Sequence, residues 1–341
     1  MHKLIALALT LILCLTAVAA VAEGNLVIYT PNPDAEIQYI LNPFIEKYGI
    51  EVEMLSMGTG ECYTRLLAEQ DAPIADVMFG GVESTWTHDY PDLFATYVAN
   101  GDDKLPAEYQ NPDGMITNYI LGGSCVIIVN EELEKELGVT INSYEDLLNP
   151  ALKGMIASAD PNASSSSFAH LSNILLARGD GENPYESEAA WNYVAALIEQ
   201  LDGSLTSGSS AVYKGVANGE YVAGLSYEVG VAGFIANGAE GVRAVYPTEG
   251  VCWTPVGSAI VNGAKNMDNA KLFMDWLISD ECQTNMATAE GSVLRGVRTD
   301  LFVPTEYMPS FDTLNLKQED SEYTSGNKQT ILDHWNDLWN K

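Results

Sequence analysis

Basic residues are scarce in this chain. Its 341 residues include 16 Lys and Arg against 47 Asp and Glu, which gives a formal net charge of −31. Such a surface repels the phosphates of nucleic acids and of anionic lipids, so both are excluded as partners. Salt screens this unfavourable field over about 8–10 Å, so a lined cleft can still hold an anion through local dipoles and hydroxyl groups.

Cysteine is also scarce, and the sequence motifs of metal and nucleotide sites are absent. Of five cysteines, Cys14 lies in an N-terminal apolar segment, and the other four are Cys62, Cys125, Cys252 and Cys282. These four are widely spaced, so they are either buried free thiols or include one disulfide. No HExxH motif, complete P-loop or full GxGxxG occurs, and we predict no metal site and no cofactor.

An enzymatic alternative depends on Ser167 and His170, which lie three residues apart on one predicted helix. A hydrolase would use them as nucleophile and base. No GxSxG sequence surrounds the serine, and no orienting acid follows from the spacing. The sequence therefore favours a protein that binds rather than converts its ligand, with no catalytic residues.

A long apolar run occurs once, over residues 4–21, and ends in small residues up to Ala22. This pattern is typical of a secretory signal peptide, residues 1–22, cleaved after Ala22. Leu13 is bulky where a lipobox needs a small residue before Cys14, so we expect a freely soluble periplasmic protein. The remaining 341 − 22 = 319 residues are too many for one ordinary core and suit two α/β lobes.

Short apolar strands alternate with amphipathic helices in the first part of the chain. Strands are predicted at 26–30, 52–56 and 75–79, each followed by a junction rich in Pro or Gly. This order predicts a parallel sheet with crossover helices, and such sheets bind ligands at the carboxyl ends of their strands. Gly58-Thr59-Gly60 is the best of these junctions, because glycine lets a ligand approach the backbone at a helix N-terminus.

A second α/β unit is predicted after the glycine pair Gly122-Gly123, which interrupts a β-rich segment at 118–130 and indicates a bend between lobes. Helices are predicted near 143–148 and at 166–178, 187–201, 211–218, 267–285 and 331–339, and strands at 155–159, 221–228, 242–246 and 258–261.

Four consecutive serines lie between the strand at 155–159 and the helix that follows: Ser164, Ser165, Ser166 and Ser167. Backbone N–H groups at a helix start lack partners, the helix dipole is positive there, and serine hydroxyls add further donors. The serine turn, residues 160–168, is therefore predicted to hold an anion without a basic side chain. An ordinary capped turn is the alternative interpretation.

Several segments together resemble the extracellular solute-binding proteins of ABC importers, in the branch that holds ferric-ion, hexose-phosphate and aminoethylphosphonate receptors. They are 143–154, the Asp160-Pro161 turn, 216–221, 247–250 and 262–271. The resemblance covers nearly all of the mature chain and implies an α/β fold of the type II periplasmic-binding-protein class, with two doubly wound parallel-sheet lobes joined by crossing hinge strands. Lobe 1 is expected at 23–118 plus about 257–305, and lobe 2 at 119–256 plus about 306–341.

The resemblance also implies a monomer that closes on a small ligand and presents it to a membrane permease. It places ligand contacts at Thr30, Gly58, Thr59, Gly60, Gly81, Ser164, Ser165, Ser166, Ser167, Tyr227 and Glu228. In so acidic a chain, the arginines Arg65, Arg295 and Arg298 are expected to pair with carboxylates instead.

The class of ligand is predicted from positions at which this chain differs from the ferric receptors that it resembles. Ferric receptors present adjacent tyrosines where this chain has Ser226-Tyr227-Glu228, and Fe³⁺ needs several anionic oxygens. A small organic anion of sugar-phosphate or phosphonate type fits better, with its anionic head among the glycine junction and the serine turn. Tyr227 and Glu228 would then receive sugar hydroxyls or an amine. The alternative is a ferric-ion receptor that uses Tyr227 and Glu228 as metal ligands.

Overall fold

The computed structural model describes residues 25–82, 84–111, 113–123 and 125–341, so the predicted signal peptide lies outside the described residues. Within these ranges, nine strands form two sheets. The strands are β1 (Asn25–Thr30), β2 (Glu51–Ser56), β3 (Val77–Val82), β4 (Thr117–Gly122), β5 (Cys125–Asn130), β6 (Ile156–Ala157), β7 (Ala223–Tyr227), β8 (Val242–Val245) and β9 (Thr254–Ile260).

Helices cover both sheets. The first two, on either side of a π-helical turn at Ile37–Leu41, are α1 (Asp34–Glu36) and α2 (Asn42–Tyr48). The others are α3 (Thr59–Ala68), α4 (Ser84–Asp89), α5 (Glu131–Leu137), α6 (Ser165–Arg178), α7 (Glu188–Leu201), α8 (Ser209–Ala217), α9 (Glu228–Ala236), α10 (Met267–Leu277), α11 (Asp280–Thr288), α12 (Ser321–Gly326) and α13 (Lys328–Trp339).

The first sheet has the strand order β2-β1-β3-β9-β4. Strand β1 pairs in parallel with β2 and β3, whereas β9 is antiparallel to both β3 and β4. The carboxyl ends of β1, β2 and β3 therefore share one edge. The alternating pattern predicted the parallel part, but it could not predict the insertion of β9, which returns from a distant part of the chain.

The second sheet has the order β6-β7-β5-β8. Strands β6 and β7 are parallel, and Cys125 at the start of β5 pairs with Tyr227 at the end of β7. Because the chain passes directly from β4 into β5, the end of β7 lies at the edge of this sheet that faces the first sheet. The predicted site segments on β7 and on the first sheet therefore border one cleft.

Three chain segments cross between the sheets. The first runs through Gly122-Gly123, where Gly123 adopts a φ of +74°, and this confirms the predicted glycine bend between two sheets. The second is the connection from β8 to β9. In the third, Gly296 bridges to Ile120 of β4 and the N–H of Leu121 donates to the carbonyl of Arg295 at 2.7 Å.

Each sheet has its own hydrophobic core. Leu26, Phe79 and Trp276 are among the buried residues of the first core, and Ile127 and Trp335 are among those of the second. Full burial of such a side chain stabilises the fold by about 1.5–3 kcal/mol. Two independent cores confirm the expectation of two α/β lobes.

Some predicted elements are divided or displaced. The single helix predicted at 267–285 is two helices, because the Ser279 hydroxyl accepts the N–H of Cys282 at 3.2 Å and starts α11. The segment predicted as a helix near 143–148 is a 3-10 helix, Glu145–Leu148, and of the strand predicted at 155–159 only β6 pairs along its length. The prediction from local pattern failed where capping and sheet pairing decide the boundaries.

Strand β3 begins later than predicted and continues through the glycine pair Gly80-Gly81. Both glycines have positive φ, +86° at Gly80 and +70° at Gly81, and the register of β3 against β9 shifts in this region. A β-carbon on Gly80 would lie 1.9 Å from Oδ1 of Asn32. Glycine is thus required here both by the backbone angle and by the close approach of the loop after β1.

We expect Gly80→Ala to destabilise the protein by more than the cost of a left-handed backbone alone, which is about 1–2 kcal/mol. The control is Gly49→Ala, since Gly49 has a φ of +65° but nothing lies within 4 Å of its added β-carbon. Urea unfolding of both variants measures the difference. Equal losses in the two variants would show that Asn32 moves away at no cost.

Candidate ligand-binding cleft

The three predicted junctions of the first sheet meet on one surface. A β-carbon on Gly81 would lie 2.9 Å from Cγ of Pro31 and 3.1 Å from Cγ2 of Thr59. The Tyr63 hydroxyl donates to the Gly81 carbonyl at 3.0 Å. The loop after β1, the start of α3 and the glycine pair of β3 therefore form one wall of the cleft.

Thr30 and Gly58-Thr59-Gly60 contribute differently to this wall. The buried Thr30 hydroxyl donates to the Phe79 carbonyl at 2.6 Å and accepts the Asn32 N–H at 3.0 Å, so it fixes the loop after β1. Helix α3 starts at Gly58 without a side-chain cap, and open space surrounds Gly58 and Gly60. The first-turn N–H groups of α3 can therefore bind a ligand, whereas the Thr30 hydroxyl is already engaged.

Two residues of the serine turn hold the turn together, and the other two keep hydrogen-bonding capacity for a ligand. The Ser164 hydroxyl accepts the N–H of Ser167 at 3.3 Å, and the buried Ser167 hydroxyl donates to the Ala159 carbonyl at 2.5 Å. Ser165 is exposed and Ser166 is half-buried, with its hydroxyl 3.3 Å from that of Ser164. Ser164 and Ser167 close the turn, and Ser165 and Ser166 keep hydrogen-bonding capacity.

Tyr227 lies at the end of β7 and precedes α9, whose first turn has no side-chain cap. Its ring folds over Gly230, since a β-carbon there would lie 2.6 Å from Cζ of Tyr227. Burial, and then the neighbouring Tyr213 and Glu36, raise the pKa of the Tyr227 phenol. Glu36 belongs to helix α1 of the first lobe.

Glu228 is committed to a buried ion pair. Its carboxylate, in a residue only 2% exposed, accepts Nη2 of Arg295 at 2.7 Å, the Tyr246 hydroxyl at 2.7 Å and Nε1 of Trp253 at 3.0 Å. Arg295 is fully buried and lies against the rings of Phe302, Phe311 and Trp253. The structure thus gives Glu228 a role in joining the lobes, and we remove it from the expected ligand contacts.

All five arginines of the chain pair with carboxylates. The pairs are Arg65 with Glu69, Arg178 with Glu145 and Glu249, Arg243 with Glu134, Arg295 with Glu228, and Arg298 with Asp280 and Asp300. The expectation for Arg65, Arg295 and Arg298 was correct. No guanidinium is left unpaired for an anionic ligand, and helix N-termini and hydroxyls are further donors.

Ser167 and His170 are not placed as the nucleophile and base that the hydrolase alternative requires. Nε2 of His170 lies 3.0 Å from the Val126 carbonyl and Nδ1 lies 3.4 Å from the Tyr144 hydroxyl, while Ser167 donates to Ala159. Burial lowers the pKa of His170 to about 4, so the ring is neutral. Serine and histidine are therefore each engaged elsewhere, and no nucleophile–base pair forms.

The sequence left open whether the four cysteines of the mature chain are free thiols or include one disulfide. Cys62, Cys125, Cys252 and Cys282 are all buried free thiols. Across the described ranges, no group of three or more His, Cys, Asp and Glu residues is placed to hold a metal ion.

Glu36 is a buried acid that the sequence analysis did not single out. It is 7% exposed, its Oε2 is buried without a hydrogen-bond partner, and burial raises the pKa of its carboxyl to about 7. It precedes the buried Ile40 by four residues and Phe44 by eight, which is the only sequence signal that it faces inward. An acid in the first turn of a helix usually pairs with the helix dipole at the surface, so this signal is weak.

Two α/β lobes, three crossings and a cleft bordered by strand ends define the architecture of a periplasmic binding protein. The chain belongs to the bacterial extracellular solute-binding protein family, whose model matches residues 40–302. Proteins of this family bind solutes for ABC transporters and are not enzymes. In the described part of the chain, no helix has the length and apolar character needed to cross a bilayer.

The relatives differ in their stated ligands. A "probable ABC transporter periplasmic-binding protein y4fP" of Sinorhizobium fredii is 26% identical over 298 residues, 84% of this chain and 78% of that protein. The structure of AfuA from Actinobacillus pleuropneumoniae with fructose-6-phosphate has a TM-score of 0.73 at 24% identity, covering 94% of this chain and 99% of that one. A ferric binding protein from Campylobacter jejuni has a TM-score of 0.69 at 19% identity, covering 92% and 99%. The two structures establish the fold and leave the ligand open.

Glu228→Gln is expected to destabilise the protein by about 3–5 kcal/mol, because it leaves the buried Arg295 without its counter-charge. The control, Glu281→Gln, removes a largely exposed partner of Lys47 and should change stability by less than about 1 kcal/mol. Urea unfolding measures both. A Glu228→Gln protein that is stable but has lost its ligand would restore Glu228 as a binding residue.

The unliganded protein should lose stability above pH 5 because of Glu36. A folded pKa raised from 4.5 to about 7 means that the native state binds the proton more tightly than the unfolded state. This contribution is therefore present below pH 4.5 and is lost as pH rises through 7, by about 2–3 kcal/mol between pH 5 and pH 8.

Urea unfolding at the two pH values checks this loss. Glu36→Gln should remove it, whereas Glu46→Gln, an exposed change on the same helical segment, should retain it. An unchanged pH dependence in the Glu36→Gln protein would contradict the assignment.

Proposed function

We propose that this ABC solute-binding protein captures a small organic anion of sugar-phosphate or phosphonate type between its lobes and delivers it to a membrane permease. The observation that carries this proposal is the arrangement of donors around the cleft. Helix α3 opens on it from the first lobe without a side-chain cap, and α9 and the available serines Ser165 and Ser166 border it from the second.

Helix N-termini suit an anion in a chain of this charge. The partial positive charge of each N-terminus comes from backbone N–H groups, which need no basic side chain and are strongest within the first turn. Every arginine is neutralised by a carboxylate, so the local dipoles act against a negative background. The site should therefore favour a compact anionic group that approaches the backbone closely at Gly58, Gly60 and Gly81.

Ligand contacts on both lobes couple binding to closure of the cleft. A ligand that touches both walls stabilises the closed arrangement, and the shift in population is limited by its differential affinity for closed and open states. The three crossing segments supply the axis of this motion. We infer that the permease recognises the closed monomer in the periplasm.

The site chemistry favours an organic anion over ferric ion. Of the two metal ligands considered, Glu228 is occupied by Arg295, Tyr246 and Trp253, which leaves Tyr227. A hard trivalent cation needs several anionic oxygens. Iron binding would require the buried ion pair to open, at a large cost in desolvated charge.

A thermal-shift panel tests the ligand class directly. Hexose phosphates, phosphonates and inorganic phosphate should stabilise the purified protein, by about 2.7 kcal/mol at 100 times the dissociation constant. Ferric citrate serves as the competing probe. Stabilisation by iron alone would reject the organic-anion proposal.

Replacing Ser165 and Ser166 together with Asp should weaken binding of the anionic probe by about 100-fold or more, because two carboxylates would face the ligand anion. Isothermal titration calorimetry measures the loss. Ser321→Asp is the control, since it adds a charge to the exposed first turn of α12. Undiminished affinity in the double variant would remove the serine turn from the site.

A further inference from the structure

A second cavity lies at the crossings between the lobes, outside the candidate cleft. Its volume is about 670 Å³, which falls within the range of about 300–1,000 Å³ typical of small-molecule sites. Most of its lining comes from three segments, within 106–109, 253–255 and 316–321. Among the described residues that line the cavity, none belongs to the expected ligand contacts.

The cavity and the cleft lie at different ends of the first sheet. Thr254 and Pro255 begin β9 and pair with Gly122 and Leu121 of β4. Strands β9 and β4 form one end of this sheet, whereas β2 and β1, whose carboxyl ends border the cleft, form the other. The proposed anion site therefore makes no use of the cavity.

Two aromatic rings give the cavity a fixed apolar wall. Trp253 and Phe311 both line it and pack edge to face, with ring centroids 4.8 Å apart. The buried Arg295 guanidinium lies 5.0 Å from the Trp253 ring and 4.5 Å from the Phe311 ring, and Nε1 of Trp253 donates to Glu228 at 3.0 Å. Because the buried ion pair holds both rings, a planar apolar group can pack against a preformed surface.

Lys317 supplies the cavity with a positive charge. Its side chain is half-buried, its N–H donates to the Val251 carbonyl at 2.8 Å, and a β-carbon on Gly250 would lie 2.5 Å from its Cγ. The stem of Lys317 therefore lies across Gly250. In the described part of the chain, the lysines that form ion pairs are Lys47, Lys104 and Lys153. The ammonium group of Lys317 thus keeps its hydrogen-bond donors for an occupant.

The two acids of the lining leave this ammonium group unpaired. Oε2 of Glu319 accepts the Thr254 hydroxyl at 2.9 Å, and Oε1 accepts the Thr324 hydroxyl at 3.3 Å. Glu108 is exposed, so water and salt screen its charge. One lysine can balance one negative charge, whereas a dianion would also meet the repulsion of the two acids and a cation that of Lys317.

We propose that this cavity is a second binding site, which takes a small aromatic carboxylate. The planar ring packs on Trp253 and Phe311, and the carboxylate accepts a hydrogen bond from the ammonium group of Lys317. The site is independent of the ligand that the cleft binds.

Three ligands that share one ring test the charge requirement. They are 2-naphthylacetate, 2-(2-naphthyl)ethanol and 2-(2-naphthyl)ethylamine, which end in a carboxylate, a hydroxyl and an ammonium group. In isothermal titration calorimetry, the purified protein should bind the carboxylate about 10-fold or more tightly than the alcohol, because Lys317 then donates to a charged acceptor. The amine should bind more weakly than the alcohol. Equal affinities, tighter binding of the amine or no binding of the carboxylate would overturn the proposal.

Lys317→Gln should remove the preference for the carboxylate and leave the affinity for the alcohol unchanged. The control is Lys135→Gln, which removes an exposed lysine of α5 and should keep the preference. A preference that survives in the Lys317→Gln protein would contradict the role of the ammonium group.

Two cavity-filling variants locate the ligand. Thr299 and Ser321 line the cavity, so Thr299→Trp and Ser321→Trp should each abolish binding of the naphthalene ligands by occupying part of its volume. Urea unfolding shows which variant is folded, and Ser321, which is exposed, is the more tolerant position. Binding that persists in the folded filling variants but is lost on replacing Ser165 and Ser166 with Asp would place the ligand in the cleft and reject the second site.

Discussion

The ion pair between Glu228 and Arg295 is the interaction on which the relation of the two lobes depends. Glu228 starts α9 of the second lobe, and the backbone of Arg295 pairs with β4 of the first. Both side chains are removed from water, which is favourable only when the partners are close and further hydrogen bonds complete the shell. Tyr246 and Trp253 donate such hydrogen bonds to the Glu228 carboxylate, and Trp253 lies on the β8–β9 crossing. The pair thus links two crossing segments to a helix that borders the cleft.

With its arginines committed in this way, the anion site that we propose relies on backbone N–H groups and hydroxyls. The strand ends, the uncapped helix N-termini and the glycines of positive φ serve the same purpose. Backbone N–H groups and helix dipoles hold an anion only if the ligand can approach the backbone closely. Gly80 and Gly81 give the loop after β1 and the start of α3 the space to meet.

Local pattern was a good guide to the elements and a partial guide to the site. Strands β1, β2 and β8 and helices α6 and α7 lie within one or two residues of their predicted positions, because periodicity and capping act over short distances. Gly58-Thr59-Gly60 and Gly81 were identified as strand ends, and they converge in the structure. Thr30, Ser164, Ser167 and Glu228 were expected to contact the ligand, yet the functional group of each already has a partner inside the protein.

The sequence by itself determined the two α/β units and the glycine crossing, through periodicity and glycine placement, and its ordered segments carry the resemblance to solute-binding proteins. Only the tertiary structure decided which polar groups remain free. Hydrogen-bond and ion-pair partners come from residues far apart in the chain, 67 positions between Glu228 and Arg295, so no local pattern reveals them. The same is true of Glu36, whose Oε2 is buried without a hydrogen-bond partner.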